Sequence, residues 1–217
     1  MVGQKLAELW SDGYLLPSVK ATLVRMSIGF GLSVIIGLIF GLTMGMIPLV
    51  NQCLKSLFLG LQTLPSVAWV PISIIIFGLK NSGIYFVIIM SSTAAIAIAT
   101  ADGIVNIPPL YLRAAQTLGT PRYAMGWRVI LPAALPNIVT GIKLGWTLGW
   151  HGTVSAELIK STIGLGFLLR MGSDLIDVSQ VFGLMIVMII VGVLLDRFLF
   201  GTIEHHIRMR WGLVPHS

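Results

Sequence analysis

Residues 102–132 read DGIVNIPPLYLRAAQTLGTPRYAMGWRVILP, the longest stretch of this 217-residue chain that does not look like a membrane span. Pro108-Pro109 ends the helix before it, because a proline removes a backbone donor and pushes the preceding residue out of the helical region. Residues 110–118 then read as a short helix closed by Gly119. Thr120 and Pro121 suit the N-cap and first position of a second short helix, which is expected to run to about Ile130 and stop before Pro132. The spacing predicts a helix, a sharp turn and a helix, held between two spans. Arg113, Arg122 and Arg128 supply charge, and Tyr123, Met125 and Trp127 are anchors of the kind that protein interfaces use. The same side chains would also suit helices lying on a membrane with arginines against phosphates. From the residues alone the two readings stand level.

Outward from this stretch the composition is that of a membrane protein. Apolar residues make up 56% of the chain and charged residues 10%, with a mean hydropathy of +0.93. A soluble domain carries about 25% charged residues, so this chain has too little charge to cover itself in water. That excludes an ordinary cytosolic enzyme and a disordered chain, and the single cysteine, Cys53, excludes a disulfide scaffold. The formal charge of +6 forms no basic stripe, which argues against nucleic acid.

Four runs lack Asp, Glu, Lys and Arg: residues 26–54, 56–79, 81–101 and 178–195, of 29, 24, 21 and 18 residues. A helix needs about 20 residues to cross a hydrocarbon core of about 30 Å. A fifth run, residues 136–157, is apolar apart from Lys143, His151 and the terminal Glu157, and the Lys143 stem is expected to snorkel toward headgroups. Five spans put the termini on opposite sides. With the C-terminus inside, eight Lys/Arg lie inside and six outside, with Glu8, Asp12, Glu157, Asp174 and Asp177 beside the outer ones, which favours an outer N-terminus. Residues 1–13 lack a signal-peptide core and read as a short amphipathic segment, with Pro17-Ser18 opening the first long helix. In that helix Ser33, Gly37, Gly41 and Gly45 recur every fourth residue and predict a face for close backbone approach.

Pro65 and Pro71 interrupt the second span, and broken membrane helices are tolerated where backbone faces a cavity. Ser66, Trp69 and Ser73 are therefore candidate pathway residues, against the equal alternative of a kinked but sealed packing helix. His151 is a further pathway candidate, since it falls with Glu157 near the outer half of its span. His205-His206 beside Glu204 would be poor metal ligands, because adjacent side chains at a helix end do not converge on one ion. No GxxxxGK[ST] loop, CxxC, HExxH or ordered Ser-His-Asp set is present, so no catalytic residue and no bound cofactor are expected.

The opening stretch resembles the signature loop of inner-membrane permeases of ATP-binding-cassette importers: Glu-Ala-Ala, three residues, Gly, nine residues, an aliphatic residue, any residue and Leu-Pro. Here it stands as Arg113-Ala114-Ala115, Gly119 and Val129-Ile130-Leu131-Pro132, with every interval kept and Arg113 where the family usually has Glu. QTLPSVAWVP at 62–71, IFG at 76–78, LPAALPNIVTG at 131–141, IGLG at 163–166 and Asp196-Arg197 look like the branch that moves nitrate, sulfonates, taurine or bicarbonate. Typical relatives have one more membrane helix ahead of the segment beginning near Leu16, so the expectation is either a five-span protein or a start placed too late.

The resemblance implies an all-α polytopic membrane protein of about five transmembrane helices, the type I importer permease fold, with a cytoplasmic coupling helix-turn-helix. Residues 1–17 would be an extracytoplasmic segment, 18–203 the permease domain with a coupling loop at 103–132, and 204–217 a cytoplasmic tail. The coupling residues it implies are Arg113, Ala114, Ala115, Gly119, Thr120, Pro121, Arg122, Tyr123, Trp127, Leu131 and Pro132. It further implies cytoplasmic ATPase subunits that carry ATP and Mg2+, an extracytoplasmic substrate-binding protein, a second permease copy and a location in the cell inner membrane. The rivals are a non-transporting structural or assembly subunit and a secondary transporter. The second of these would show inverted halves or a buried carboxylate relay, neither of which is legible in the sequence.

Overall fold

The computed structural model describes residues 2–159 and 163–201. Among these the structure is helical throughout. Helix α1 is Val2–Ser11, α2 Leu15–Met46, α3 Pro48–Thr63, α4 Trp69–Phe77 and α5 Asn81–Val105; then come α6 Pro109–Thr117, α7 Arg122–Met125, α8 Leu131–Ile159, α9 Leu165–Asp174 and α10 Val178–Asp196. Four helices are long and apolar enough to cross a membrane, and α3 with the segment Ser66–Phe77 makes a fifth if its two arms count as one. The expected tail at 204–217, with His205 and His206, lies outside the described residues.

Two expected spans have different ends or shapes. The charge-free run at 26–54 is not one helix: α2 stops at Met46, because Ile47 precedes Pro48 and is extended (φ −118°, ψ 104°), and Pro48 opens α3. At 32 residues α2 is about 48 Å long, well beyond the hydrocarbon core. The run at 56–79 is bent by 95°, with Leu64 and Pro65 extended at the break and a single tight turn at Ser66–Ala68 opening the second arm. Pro71 lies in the first turn of α4, where its missing N–H breaks no helical bond, so the break falls at Pro65 alone.

Helix α5 is the centre of the bundle. Of its most apolar stretch 61% is buried, against 28% for α2, 28% for the helix that contains α8, and 22% for α10. The face Ser33, Gly37, Gly41, Gly45 does meet another backbone: Gly37, Gly41 and Gly45 face Ile96, Thr100 and Ile104 of α5, one four-residue ladder against another. Helix α8 lies on another side of α5, where a Cβ on Gly141 would stand 2.4 Å from the Ala99 Cβ. A Cβ on Gly41 would stand 2.5 Å from the Thr100 Cβ and 2.8 Å from the Ala97 carbonyl oxygen, which cannot rotate away. Gly41→Val should therefore part α2 from α5 and destabilise by about 1–3 kcal/mol. Gly31→Val, on the same helix with nothing within 4 Å of the added carbon, is the control. Equal thermal midpoints for the two variants in detergent would refute the close approach.

At the periphery α1 lies on α10, with Leu9 buried and Leu6 beside Gly183. Asp177 caps α10 by accepting from the Gln180 N–H at 3.0 Å and pairs with Lys5 at 3.5 Å. The Gln180 N–H, with Lys5 behind it, holds the Asp177 carboxyl below the ordinary aspartate range. The Nζ of Lys143 lies 3.6 Å from Asp196, which ties α8 to the end of α10.

Candidate functional site

The hairpin after α5 is built by local backbone chemistry. Helix α6 begins at Pro109 and ends in a paired backbone closure: Gly119 N–H donates to the Gln116 carbonyl and Thr120 N–H to the Ala115 carbonyl, each at 3.0 Å. This closure needs a left-handed residue between helix and exit, and Gly119 supplies it at φ +78°. Pro121, extended at ψ 150°, is the N-cap and Arg122 opens α7, so the cap falls one residue later than expected and Thr120 makes no side-chain cap.

The second helix does not stop before Pro132. It continues through a widened π turn at Gly126–Ile130 into α8, giving one helical run, Tyr123–Ile159, of 37 residues. Leu131 N–H donates to the Gly126 carbonyl five residues back. A proline clashes with the carbonyl four residues before it, and widening the turn makes room for the Pro132 ring without breaking the helix.

Burial sorts the hairpin into two faces. Ala115 and Ala124 are buried, and Leu112 and Ile130 pack against Ile104, Ile107 and Ile138. Leu118, Tyr123 and Trp127 stand 85%, 85% and 76% exposed at the turn and along the second helix, with Arg113, Ala114 and Arg128 also exposed. Thr120, Pro121, Leu131 and Pro132 are half-buried. Large exposed apolar side chains together with exposed arginines on one hairpin have the composition of a protein interface.

The 95° bend holds the second feature. A cavity of about 340 Å3 lies against it, lined by Gln62, Thr63, Ser66, Ser91 and His151 among apolar neighbours. The expected pathway residues divide here. Ser66 and His151 are brought to one cavity, and the Ser66 Oγ lies 3.3 Å from the Ser155 Oγ. Trp69 and Ser73 are buried in protein instead: Trp69 sits edge-on to Phe86, and the Ser73 hydroxyl donates to the Val70 carbonyl at 2.8 Å. The reason is rotational, since α4 turns that face of its first two turns onto α5 and away from the bend. Gln62, Thr63 and Ser91 line the cavity as well, though they are not among the pathway candidates of the sequence. Polar side chains just before a proline in an otherwise apolar run are the signal that could have found the first two.

The third feature is a buried ionic knot at the far end of α8. Glu157 is wholly buried and apart from the cavity. Its Oε1 accepts from Arg25 at 2.7 Å, and its Oε2 accepts from the Thr22 hydroxyl at 2.8 Å and the Gly166 N–H at 3.1 Å. Arg25 also donates to the Ile163 carbonyl, and Leu165 N–H donates to Thr22 Oγ1 at 2.9 Å. Gly164 and Gly166 press so closely on Glu157 that a Cβ on either would fall within 2.6 Å of its side chain. Among the described residues no three metal-ligating side chains converge.

Residues 33–207 match the family described as binding-protein-dependent transport system inner membrane component. The chain is 32% identical over 185 residues to the taurine transport system permease protein TauC of Escherichia coli, covering 85% of this chain and 67% of that protein. It is 35% identical over 179 residues to the bicarbonate transport system permease protein CmpB of Synechococcus elongatus, covering 82% and 64%. It is 33% identical over 186 residues to the nitrate import permease protein NrtB of Leptolyngbya laminosa, covering 86% and 67%. The chain thus spans about two thirds of the length of these curated relatives.

Proposed function

The chain belongs to the family of binding-protein-dependent transport system inner membrane components, and on that premise we propose that it is the permease subunit of an ATP-driven importer for a small anion such as nitrate, a sulfonate, taurine or bicarbonate. It does no covalent chemistry. ATP and Mg2+ are held by a separate cytoplasmic ATPase, an extracytoplasmic binding protein delivers the solute, and a second copy of the chain completes the path.

In this reading the hairpin of residues 103–132 lies in the cytoplasm with the C-terminus, residues 1–17 lie outside, and residues 18–203 form the permease domain. The exposed Leu118, Tyr123 and Trp127 seat in a groove of the ATPase, with Arg113 and Arg128 at the rim. The single observation that carries the proposal is the continuity of Tyr123–Ile159. A docked surface and a membrane cavity lie on one uninterrupted helix, so displacement of the hairpin by a closing ATPase moves His151 against the bend at Ser66. ATP binding then opens the path toward the binding protein, and hydrolysis returns it inward.

The test is the mass of the intact complex, gently solubilised and drawn out through this chain. Two copies with two ATPase subunits are the expected result. Recovery of this chain without any ATPase, under conditions that preserve a known importer, would favour a structural or assembly subunit.

A further inference from the structure

The cavity at the bend between α3 and α4 is bordered by five polar side chains and by no Asp, Glu, Lys or Arg among the described residues. Two of the five have already spent their hydroxyl hydrogen: Thr63 donates to the Gly60 carbonyl at 2.7 Å and Ser91 to the Val87 carbonyl at 2.8 Å. Ser66 and Ser155 share one hydrogen bond between two hydroxyls; with Ser155 as its donor, the Ser66 O–H is left for the cavity. The remaining donors are the His151 ring N–H and the Gln62 carboxamide. Three donor groups around one space, without a carboxylate to repel an anion, suit an oxyanion, and among the described residues no three His, Cys, Asp or Glu converge there.

Position separates a solute from a lipid headgroup. His151 is eight residues from Ile159 and Ser91 ten from Asn81, about 12 and 15 Å along their helices. Both positions are interior to helices long and apolar enough to cross a membrane, which in the importer reading sets the cavity away from the phosphates at the membrane faces. The absence of a lysine or arginine from the lining also fits a path, because conduction needs a site that holds weakly enough to release.

We infer that this cavity is a transient oxyanion subsite inside the membrane, in which His151 and Gln62 donate to the solute and set which oxyanion passes. The inference rests on the importer reading and deepens it. Gln62 comes from α3, before the bend, whereas His151 comes from α8, which is continuous with the hairpin. Movement of α8 therefore makes and breaks the subsite, so that release follows from the same displacement that opens the path.

The test is uptake of isotopically labelled nitrate, taurine and bicarbonate into vesicles that hold the whole complex. His151→Phe and Gln62→Leu, which remove the donors from two different helices, should each lower uptake of the carried anion about tenfold, the effect of one lost hydrogen bond in a desolvated site. His151→Gln keeps an N–H donor of similar reach and should restore uptake to within about threefold of wild type. Wild-type KM and rate in both donor-removing variants would overturn the subsite while leaving the importer intact. The same failure in His151→Gln as in His151→Phe would reduce His151 to a packing residue and overturn its assigned role. A wild-type complex that carries none of the three anions would overturn the anion reading itself, and the subsite with it.

Discussion

Replacing Arg25 with methionine is expected to cost the fold about 3–5 kcal/mol, the largest effect of any single change proposed for this chain. Glu157 is wholly buried, and Arg25 is its only cationic partner among the described residues. Removing the guanidinium strands a carboxylate in a low-dielectric interior, where the lost attraction is not returned by water. The knot also fixes three separate pieces of chain, namely α2 through Thr22 and Arg25, the end of α8 through Glu157, and the turn at 163–166 through Ile163, Leu165 and Gly166. For a chain of this size the loss corresponds to a fall in thermal midpoint of roughly 10 °C.

The paired variant separates charge from shape. Arg25→Met with Glu157→Met removes both ions and fills the space with apolar atoms, so it should recover a substantial part of what the single change loses. Thermal midpoints of the three proteins in one detergent provide the comparison. A single variant as stable as wild type would show that the ion pair does not hold the knot, and a double variant worse than the single would show that its geometry matters more than its charge.

Gly119→Val should cost the complex its ATPase without costing the membrane its permease. Gly119 stands at φ +78°, and a residue with a Cβ pays about 1–2 kcal/mol there, with β-branched residues worst placed to adapt. That penalty falls on the closure of Gly119 and Thr120 onto Gln116 and Ala115, and it is relieved by opening the turn that presents Leu118 and Tyr123. A cost of 1.4 kcal/mol is about tenfold in a docking equilibrium. Retained ATPase should therefore fall tenfold or more while the amount of chain in the membrane stays the same. Gly119→Asn is the graded companion, since asparagine tolerates the left-handed region better than valine does. ATPase retention unchanged by valine would remove this turn from the docking surface.

Much of this was open to a reader of the residues. Long apolar runs in a chain with 10% charge must become helices, because hydrocarbon offers no partner for an open backbone. The hairpin was equally legible, since prolines at 108 and 109 and a glycine at 119 act on their immediate neighbours. The same local logic misplaced the end of the second helix, because a lone Pro132 can be absorbed by widening one turn when the helix on both sides is held by packing. It could not decide whether Trp69 or Gln62 faced the cavity either. Both are near a proline, and only the rotation of each arm about the 95° bend puts Gln62 at the cavity and Trp69 against Phe86.

The sequence by itself determined the class of protein, the apolar helices that contain 81–101, 136–157 and 178–195, the turn at Gly119 and the small-residue face of α2, all of which depend on residues within a few positions of one another. Only the tertiary structure decided that Arg25 and Glu157, 132 residues apart, neutralise each other, and that Ser66 and Ser155, 89 apart, share a hydrogen bond. It alone also decided that Gln62 and His151 close on one cavity. Such pairings follow from how α5 seats α2 on one side and α8 on another through glycine contacts of backbone closeness, and no local pattern encodes the rotation that this packing selects.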